Sequence, residues 1–256
     1  MELKQTALKA AKEAGQVLLE LFKGERKYEM KTPHDILAEA DLKSEKIIIN
    51  QIRNDFPEHS ILSEEEGEMT KSSDHKWIID SLDGTINFEK GIEEFCISMA
   101  VDKDRETIFS LIYRPKLDKL YLAEKGKGAF LNEQRISVSE EEDFLNMLLA
   151  LDNTSNIPNR KKQFSILTEV CGNFRHVRIF GSGSLQLARL AEGKIGVYYK
   201  LEPHYWDCAP GALLIKEAGG KISDFEGKEY KEESTTFLAS NGKKHEELLE
   251  MFQKFL

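Results

Sequence analysis

The chain has 256 residues, of which 40% are hydrophobic, so it can bury one large core or two modest ones. Its formal net charge of −9 argues against a nucleic-acid-binding surface and suits a pocket that binds divalent cations. No apolar run reaches the length of a membrane span, and the N-terminal residues are typical of an amphipathic helix rather than a signal peptide, so we expect a cytoplasmic protein that does not bind membranes.

Two helices are predicted before the first buried strand. Residues 3–22 place apolar side chains at spacings of three and four, and Gly24 provides a C-terminal stop. A second helical stripe ends at Pro57, with Asp41 near its start, where that side chain suits an N-cap. The apolar members of this second stripe are Leu42, Ile49, Ile52 and Phe56.

Carboxylates follow the next two predicted strands directly. The short apolar segment 60–63 runs into three glutamates at 64–66, and the buried segment 77–79 runs into residues 80–85, which hold two aspartates and a Gly-Thr pair. The Gly-Thr pair suits the first turn of a helix. Carboxylate oxygens at a strand end can bind Mg²⁺, and the free amides of a helix start attract phosphate. An isolated Asp-x-x-Asp-Gly can also cap a turn. Further acidic residues elsewhere in the chain are needed to distinguish a metal site from a capped turn.

The remaining strands divide the chain into two halves. Residues 95–136 alternate apolar and polar side chains between turns, which predicts an antiparallel meander, and the charged segment 138–145 connects it to the rest. From residue 147 onward, predicted strands alternate with helices, as in an α/β unit. We therefore predict an N-terminal α+β half over residues 1–140 and a C-terminal α/β half over residues 141–256.

Two motifs connect these acidic positions to a known family. Residues 80–85 read Asp-Ser-Leu-Asp-Gly-Thr, residues 206–211 read Trp-Asp-Cys-Ala-Pro-Gly, and residues 217–220 read Glu-Ala-Gly-Gly. The chain thereby resembles the inositol monophosphatase family, within the lithium-sensitive, Mg²⁺-dependent phosphatases, whose signatures are Asp-Pro-[Ile/Leu]-Asp-Gly-Thr and Trp-Asp-x-Ala-x-Gly. The resemblance extends over nearly the whole chain and includes Gly-x-Gly-Ala-x-x-Asn at residues 126–132.

The resemblance implies both a fold and a reaction. The fold is the layered αβαβα sandwich of the sugar phosphatases, an α/β architecture. The reaction is hydrolysis of a phosphate monoester by direct attack of water, with two or three Mg²⁺ ions as cofactors. The implied substrate is inositol monophosphate or a similar small polyol phosphate. The family resemblance also implies a homodimer, with a small-molecule phosphate ester as the ligand.

Carried over position by position, the resemblance implies a ligand set for two ions. Glu64, Asp80 and the backbone carbonyl of Leu82 would hold the first Mg²⁺. Asp80, Asp83 and Asp207 would hold the second. Asp80 would therefore bridge both ions.

The same resemblance implies how water and phosphate are held. Thr85, paired with Asp41, would orient and deprotonate the attacking water, and Glu64 would assist through the metal ions. The amides of Gly84 and Thr85 would bind the phosphate. Glu65 would lie behind the metal ligands or bind a weaker third ion.

This sequence departs from the family at Ser81, which replaces the signature proline and leaves every ligand atom in place, and again on the substrate side of the site. Gly181 and Ser182 would line the pocket, and Asp83 and Asp207 would contact substrate as well as metal. Lys200 stands where the inositol phosphatases carry a glutamate, and a lysine donates hydrogen bonds but cannot accept them. A substrate with two phosphates, such as fructose 1,6-bisphosphate or 3′-phosphoadenosine 5′-phosphate, is therefore the alternative on the same chemistry.

A hypothesis of another class is a regulatory or RNA-machinery binding partner that keeps the phosphatase fold. Five acidic residues converging on one pocket weigh against binding as the sole role, because a binding protein has no need of them. Phosphate release in the presence of Mg²⁺ distinguishes the two hypotheses.

Overall fold

The computed structural model describes residues 2–256 and begins with two helices joined by a hairpin. The elements are α1 (Glu2–Lys23), β1 (Tyr28–Thr32), β2 (Asp35–Ala38) and α2 (Glu39–Asp55). Helix α1 follows the predicted apolar spacing and ends just before Gly24. The hairpin is not predicted, because every residue of β1 is exposed and gives no alternating apolar signal.

An eight-stranded sheet follows. Its strands and one short helix are β3 (Ser60–Ser63), β4 (Gly67–Met69), β5 (His75–Asp83), α3 (Thr85–Lys90), β6 (Cys96–Lys103), β7 (Glu106–Arg114), β8 (Lys119–Glu124), β9 (Gly128–Leu131) and β10 (Gln134–Ile136). The spatial order is β10-β9-β8-β7-β6-β5-β3-β4. Strands β6 to β10 pair antiparallel in sequence order, which confirms the predicted meander. Strands β3 and β5 are parallel, so their carboxyl ends lie at the same edge of the sheet.

A five-stranded sheet and four helices complete the described chain. The elements are β11 (Leu148–Leu151), α4 (Ile157–Val170), β12 (His176–Arg178), α5 (Gly183–Ala191), β13 (Val197–Leu201), α6 (Tyr205–Glu217), β14 (Lys221–Ser223), β15 (Thr236–Ser240) and α7 (His245–Phe252). The spatial order is β12-β11-β13-β15-β14, with β11 parallel to both of its neighbours. This alternation of strands and helices is the one that the sequence predicts.

The elements stack as alternating layers of helices and sheets. Helices α1 and α2 cover one face of the large sheet, in a core that includes Leu18, Ile52 and Trp77. Helices α5 and α6 lie between the two sheets, with Leu187 and Leu214 in that middle core. Helices α4 and α7 cover the outer face of the small sheet. The fold is therefore the predicted αβαβα sandwich.

Alternation along β5 decides which way Asp80 faces. Ile79 belongs to the core beneath α1 and α2, whereas Ile78 packs with Ala209 of α6. Successive side chains of a strand point to opposite faces, so Asp80 lies on the same face as Ile78. That face is the one covered by α6, which carries Asp207.

Two expectations about the second helix are wrong. Leu42 is 48% exposed, whereas Ile52 is fully buried. The buried face of α2 is partly polar and includes Asp41 and Ser44, so the apolar residues alone misplace it. Asp41 is also not the N-cap, because Ala38 takes that position and donates its backbone N–H to Asp41 Oδ2 at 2.6 Å.

The division into halves at residues 140 and 141 stays a prediction. The large sheet ends at Ile136 and the small sheet begins at Leu148, yet the middle core takes side chains from both, including Ile112 and Phe237. From residue 2 to residue 256, no helix is both long and apolar enough to cross a membrane.

Candidate active site

Four carboxylates from three elements gather at the carboxyl edge of the large sheet. Glu64 and Asp80 lie side by side because β3 and β5 run in parallel there. Asp83 ends β5, and Asp207 lies in the first turn of α6. We call these four residues the carboxylate cluster. Folding thus brings the side chains that the family resemblance implies as metal ligands to the same edge of the sheet.

The members of the carboxylate cluster repel one another. Burial raises the pKa of Asp80 well above its usual value, and the charges of Glu64 and Asp83 raise it further. Burial, followed by the charge of Asp207, likewise raises the pKa of Glu64. Burial also raises the pKa of Asp83, although a hydrogen bond from Ser182 opposes it. Buried acids with raised pKa values mark a site that favours added positive charge.

Asp83 is oriented by the start of α5. Ser182 Oγ donates to Asp83 Oδ2 at 2.7 Å, and the Ser184 backbone N–H donates to the same oxygen at 2.7 Å. The Gly183 backbone N–H donates to Asp83 Oδ1 at 3.2 Å. Ser182 is also the N-cap of α5 and accepts from the Leu185 N–H. The predicted pocket residue Ser182 therefore orients a predicted metal ligand.

Gly84 and Gly181 meet where two loops pack closely. Gly84 has a left-handed backbone with a φ of 95°, and a Cβ there would lie 2.7 Å from the Glu94 carbonyl oxygen and 3.3 Å from that of Gly181. Asn87 Nδ2 joins the loops by donating to the same two carbonyls, at 2.8 Å and 3.2 Å. This packing positions the first turn of α3, which carries the amides of Gly84 and Thr85.

Thr85 lies between a carboxylate and a carbonyl. Its Oγ1 is 3.2 Å from Asp41 Oδ1 and 3.0 Å from the Leu82 carbonyl oxygen, and it can donate to either. Asp41 is 2% exposed, and burial raises its pKa to about 7 against the opposing hydrogen bond from Ala38. The implied pairing of Thr85 with Asp41 is therefore a direct contact, and the carboxyl group titrates near neutral pH.

Two lysines contact predicted ligands. Lys31 Nζ is 2.5 Å from Glu65 Oε1 and 3.6 Å from Glu64 Oε1. Lys200 Nζ donates to Asp207 Oδ2. Within the described residues, no three His, Cys, Asp or Glu side chains are grouped so that they could hold a metal ion. As the side chains stand, protein cations pair with two members of the carboxylate cluster.

Comparison with known proteins decides the family. The sequence model of the inositol monophosphatase family matches residues 1–255. The chain belongs to this family. Among its relatives, a protein of Pasteurella multocida named Nus factor SuhB is 33% identical over 228 residues, which cover 86% of this chain and 84% of the relative. A fructose-1,6-bisphosphatase/inositol-1-monophosphatase of Thermotoga maritima is 34% identical over 217 residues, which cover 85% of this chain and 82% of the relative.

This member of the inositol monophosphatase family has the same fold as a solved relative over its full length. The extragenic suppressor protein suhB from Bartonella henselae superimposes with a TM-score of 0.94 at 30% sequence identity. The superposition covers 100% of each chain. The αβαβα sandwich is therefore a fold that this chain shares with a solved relative.

The donor set of this family member suits Mg²⁺ chemically. Carboxylate and backbone carbonyl oxygens are the protein ligands that Mg²⁺ prefers, and the carboxylate cluster with the Leu82 carbonyl supplies both kinds. A carboxylate has about four lone-pair sites, so Asp83 can accept its hydrogen bonds and still bind an ion. A divalent cation would also offset the repulsion that raises the pKa of Asp80.

Two residues near the carboxylate cluster are not predicted from the sequence. Asp152 directly follows β11, and burial raises its pKa to about 7, against the opposing charge of Lys200. A carboxylate directly after a buried strand is the same signal that identifies Glu64 and Asp80, so the pattern could have found Asp152. Lys31 lies on the exposed hairpin and gives no comparable signal.

Proposed function

We propose that the protein hydrolyses a small phosphate monoester in a Mg²⁺-dependent reaction, with inositol monophosphate or a similar polyol phosphate as substrate. The carboxylate cluster, in which Asp80 is buried and the other three residues are half-buried, lies beside the contact of Thr85 with Asp41 and is the observation that carries this proposal. Four carboxylates beside two lysines, Lys31 and Lys200, leave an excess of negative charge that a divalent cation would balance.

The proposed metal ligands fall into two overlapping sets. Glu64, Asp80 and the Leu82 carbonyl would hold one ion, and Asp80, Asp83 and Asp207 would hold a second. Bound Mg²⁺ would lower the pKa of water and stabilise charge on the attacking and leaving oxygens. Asp80 belongs to both sets, so the proposal depends on this residue most strongly.

Thr85 and Asp41 would take the proton from the attacking water. Thr85 Oγ1 can accept that proton while it passes its own to Asp41 Oδ1, 3.2 Å away. A carboxyl group whose pKa is raised to about 7 is well matched to this transfer at neutral pH. The amides of Gly84 and Thr85, at the start of α3, would bind the phosphate oxygens. Glu65 would lie behind the ligands or bind a third ion.

A substrate panel tests the reaction class. The esters would be inositol 1-phosphate, fructose 1,6-bisphosphate and 3′-phosphoadenosine 5′-phosphate, and released phosphate would be measured with Mg²⁺ and after chelation with EDTA. We expect Mg²⁺ to increase phosphate release from at least one ester by about tenfold or more. If Mg²⁺ increases release from none of the three esters, the enzymatic proposal fails.

Lys200 favours substrates with two phosphates as a second candidate class. Its ammonium group is buried close to Asp83 and Asp207, in the pocket that Gly181 and Ser182 would line. A cation there can bind a second phosphate but cannot accept hydrogen bonds from inositol hydroxyls. The name of the Thermotoga maritima relative includes both activities.

Lys200→Glu should shift the substrate preference toward inositol 1-phosphate. The glutamate accepts hydrogen bonds from hydroxyls and repels a second phosphate, so we expect kcat/KM to rise about tenfold for inositol 1-phosphate and to fall about tenfold for fructose 1,6-bisphosphate. Lys221→Glu is the matched control, because Lys221 is a half-exposed lysine that pairs with Glu246. An unchanged ratio of the two kcat/KM values in Lys200→Glu would show that this residue does not select the substrate.

A binding role with the RNA machinery is the alternative of another class. The relative from Pasteurella multocida is named a Nus factor, which favours such a role. Binding to a partner would survive Asp80→Asn, whereas phosphate release would not. The homodimer and the cytoplasmic location also stay predictions, and sedimentation of the purified protein tests the first of them.

A further inference from the structure

Lys200 is a buried cation within the proposed active site. It is the last residue but one of β13 and is 7% exposed. Its Nζ donates to Asp207 Oδ2, and the Asp207 side chain is 14% exposed. Water screens a pair of this kind weakly, so the attraction between the two charges is strong. The lysine therefore binds a carboxylate that the proposed function assigns to a metal ion.

Asp152 offers the ammonium group a second partner. Strands β11 and β13 are parallel neighbours with Leu151 opposite Tyr199, which places Asp152 beside Lys200. Burial alone would lower the pKa of Lys200, but the charges of Asp207 and Asp152 outweigh burial and raise it. Lys200 therefore lies close to two carboxyl groups, those of Asp207 and Asp152.

The surroundings of Asp152 hold further polar groups for the ammonium. A Cβ added to Gly183 would lie 3.1 Å from Asp152 Oδ2 and 3.4 Å from the Tyr198 hydroxyl, so this glycine keeps the space beside both groups clear. The Tyr198 hydroxyl is buried and has no hydrogen-bond partner among the described residues. A flexible lysine side chain that leaves Asp207 thus has acceptors within the same pocket.

We propose that Lys200 competes with a divalent cation for Asp207, so that the second ion of the proposed site binds only when the ammonium group moves toward Asp152. The inference rests on the proposed metal-dependent function. Both cations require lone pairs of the same carboxylate, and they repel each other when both are close to it. Lys200 is thus a positioning residue that weakens the second metal site and leaves the first, at Glu64 and Leu82, unaffected.

The same competition couples substrate to metal. A phosphate that draws the Lys200 ammonium away from Asp207 frees this carboxylate for the second ion. By linkage, substrate and the second ion then strengthen each other's binding. A family member with a glutamate at this position has no such competing cation.

A Mn²⁺ titration without substrate tests the competition directly. Mn²⁺ replaces Mg²⁺ as the probe, and the electron paramagnetic resonance signal of the free ion reports how many ions bind and how tightly. The proteins are the wild type, Lys200→Met, which removes the charge and keeps much of the side-chain length, and Lys221→Met. Lys221→Met removes the same charge from the surface pair with Glu246. We expect Lys200→Met to bind its second Mn²⁺ about tenfold more tightly or better than the wild type, and Lys221→Met to match the wild type.

The outcomes separate the inference from the proposed function. Equal or weaker second-site affinity in Lys200→Met overturns the competition, yet metal binding by both proteins leaves the proposed function standing. If neither protein binds Mn²⁺, both the competition and the proposed metal site are lost. Lys200→Gln, which keeps a polar side chain, serves if the methionine variant does not fold, and the same tightening is expected. Thermal unfolding adds a second readout, because tighter binding should make the Mn²⁺-induced rise in Tm larger in the variant.

Discussion

Asp80→Asn is expected to reduce Mg²⁺-dependent phosphate release by about 10³-fold or more, the factor that corresponds to losing several kcal/mol of metal-derived stabilisation. Asp80 is 2% exposed and is the one residue that the proposed function assigns to both ions. An amide carries no charge and binds Mg²⁺ weakly, so one substitution weakens both sites at once. The asparagine side chain has the same shape and can still accept the hydrogen bond from the Leu82 N–H, which lies 3.0 Å from Asp80 Oδ1 in the wild type.

Without metal ions, Asp80→Asn should make the protein more stable, although it lowers activity. Burial and neighbouring carboxylates raise the pKa of Asp80, which means that its ionised form costs free energy in the folded protein. Asn has no charge to bury, so the Tm measured with EDTA should be higher in Asp80→Asn than in the wild type. Added Mg²⁺ should raise the Tm of the wild type but leave that of the variant nearly unchanged.

Asp102→Asn is the matched control for this substitution. Asp102 is buried on the neighbouring strand β6, and it accepts hydrogen bonds from Thr107 Oγ1 at 2.8 Å and the Tyr205 hydroxyl at 2.9 Å. In the register of β6 with β5, Asp102 lies opposite Lys76, which is near the start of β5, whereas Asp80 is near the end of that strand. We expect lower stability but the kcat of the wild type at saturating Mg²⁺. Wild-type kcat in Asp80→Asn itself would contradict its assignment to the metal site.

Asp41→Asn is expected to lower kcat by about 10²-fold and to remove the dependence of activity on pH near neutrality. In the wild type, the Asp41 carboxyl group must be ionised before it can accept a proton through Thr85. Burial raises its pKa to about 7, so activity should be low below this pH, rise as the pH passes through it, and level off above it. An amide does not titrate, and the variant should therefore lack this rise.

The measurement is kcat as a function of pH at saturating Mg²⁺ and substrate. KM should change little, because Asp41 is not assigned to substrate binding. The start of α2 should persist, since an Asn side chain can still accept the Ala38 N–H, which lies 2.6 Å from Asp41 Oδ2. Thr85→Ser, which keeps the hydroxyl, should retain the rise, whereas Thr85→Val should lose it. A pH profile in Asp41→Asn that still rises near pH 7 would assign the titration to another group.

Most elements of the fold can be predicted because their signals are local. Apolar spacing along α1 follows from burial of one face of the helix, which is visible in a short window. Strand β6 is buried on both faces, and its alternation of large and small side chains is visible in a window of similar length. The β1–β2 hairpin escapes prediction, because an exposed β-strand needs no apolar pattern. Leu42 is wrongly predicted to be buried, because the buried face of α2 contains polar side chains such as Asp41 and Ser44.

The residues of the candidate site also divide into those that local sequence predicts and those that it does not. Glu64, Asp80 and Asp83 can be found from the sequence, because Glu64 directly follows β3 and the two aspartates directly follow the apolar run 77–79 or end β5. Asp152 has the same position after β11 and is recognisable by the same rule. Lys31 is not, since its contact with Glu65 depends on where the hairpin lies against the sheet.

Sequence motifs indicate the family and the acidic residues around which a metal-dependent reaction can be built, and the family resemblance predicts the order of the layers. The pairing of Lys200 with Asp207, with Asp152 beside it, is visible in the folded protein alone. The physical reason is that an ion pair between elements depends on strand order, register and the face on which each side chain lies, and the local sequence around a lysine encodes none of these. The motif therefore indicates the chemistry, and the packing of β13 against β11 and α6 sets which charges the substrate and the metal ions meet.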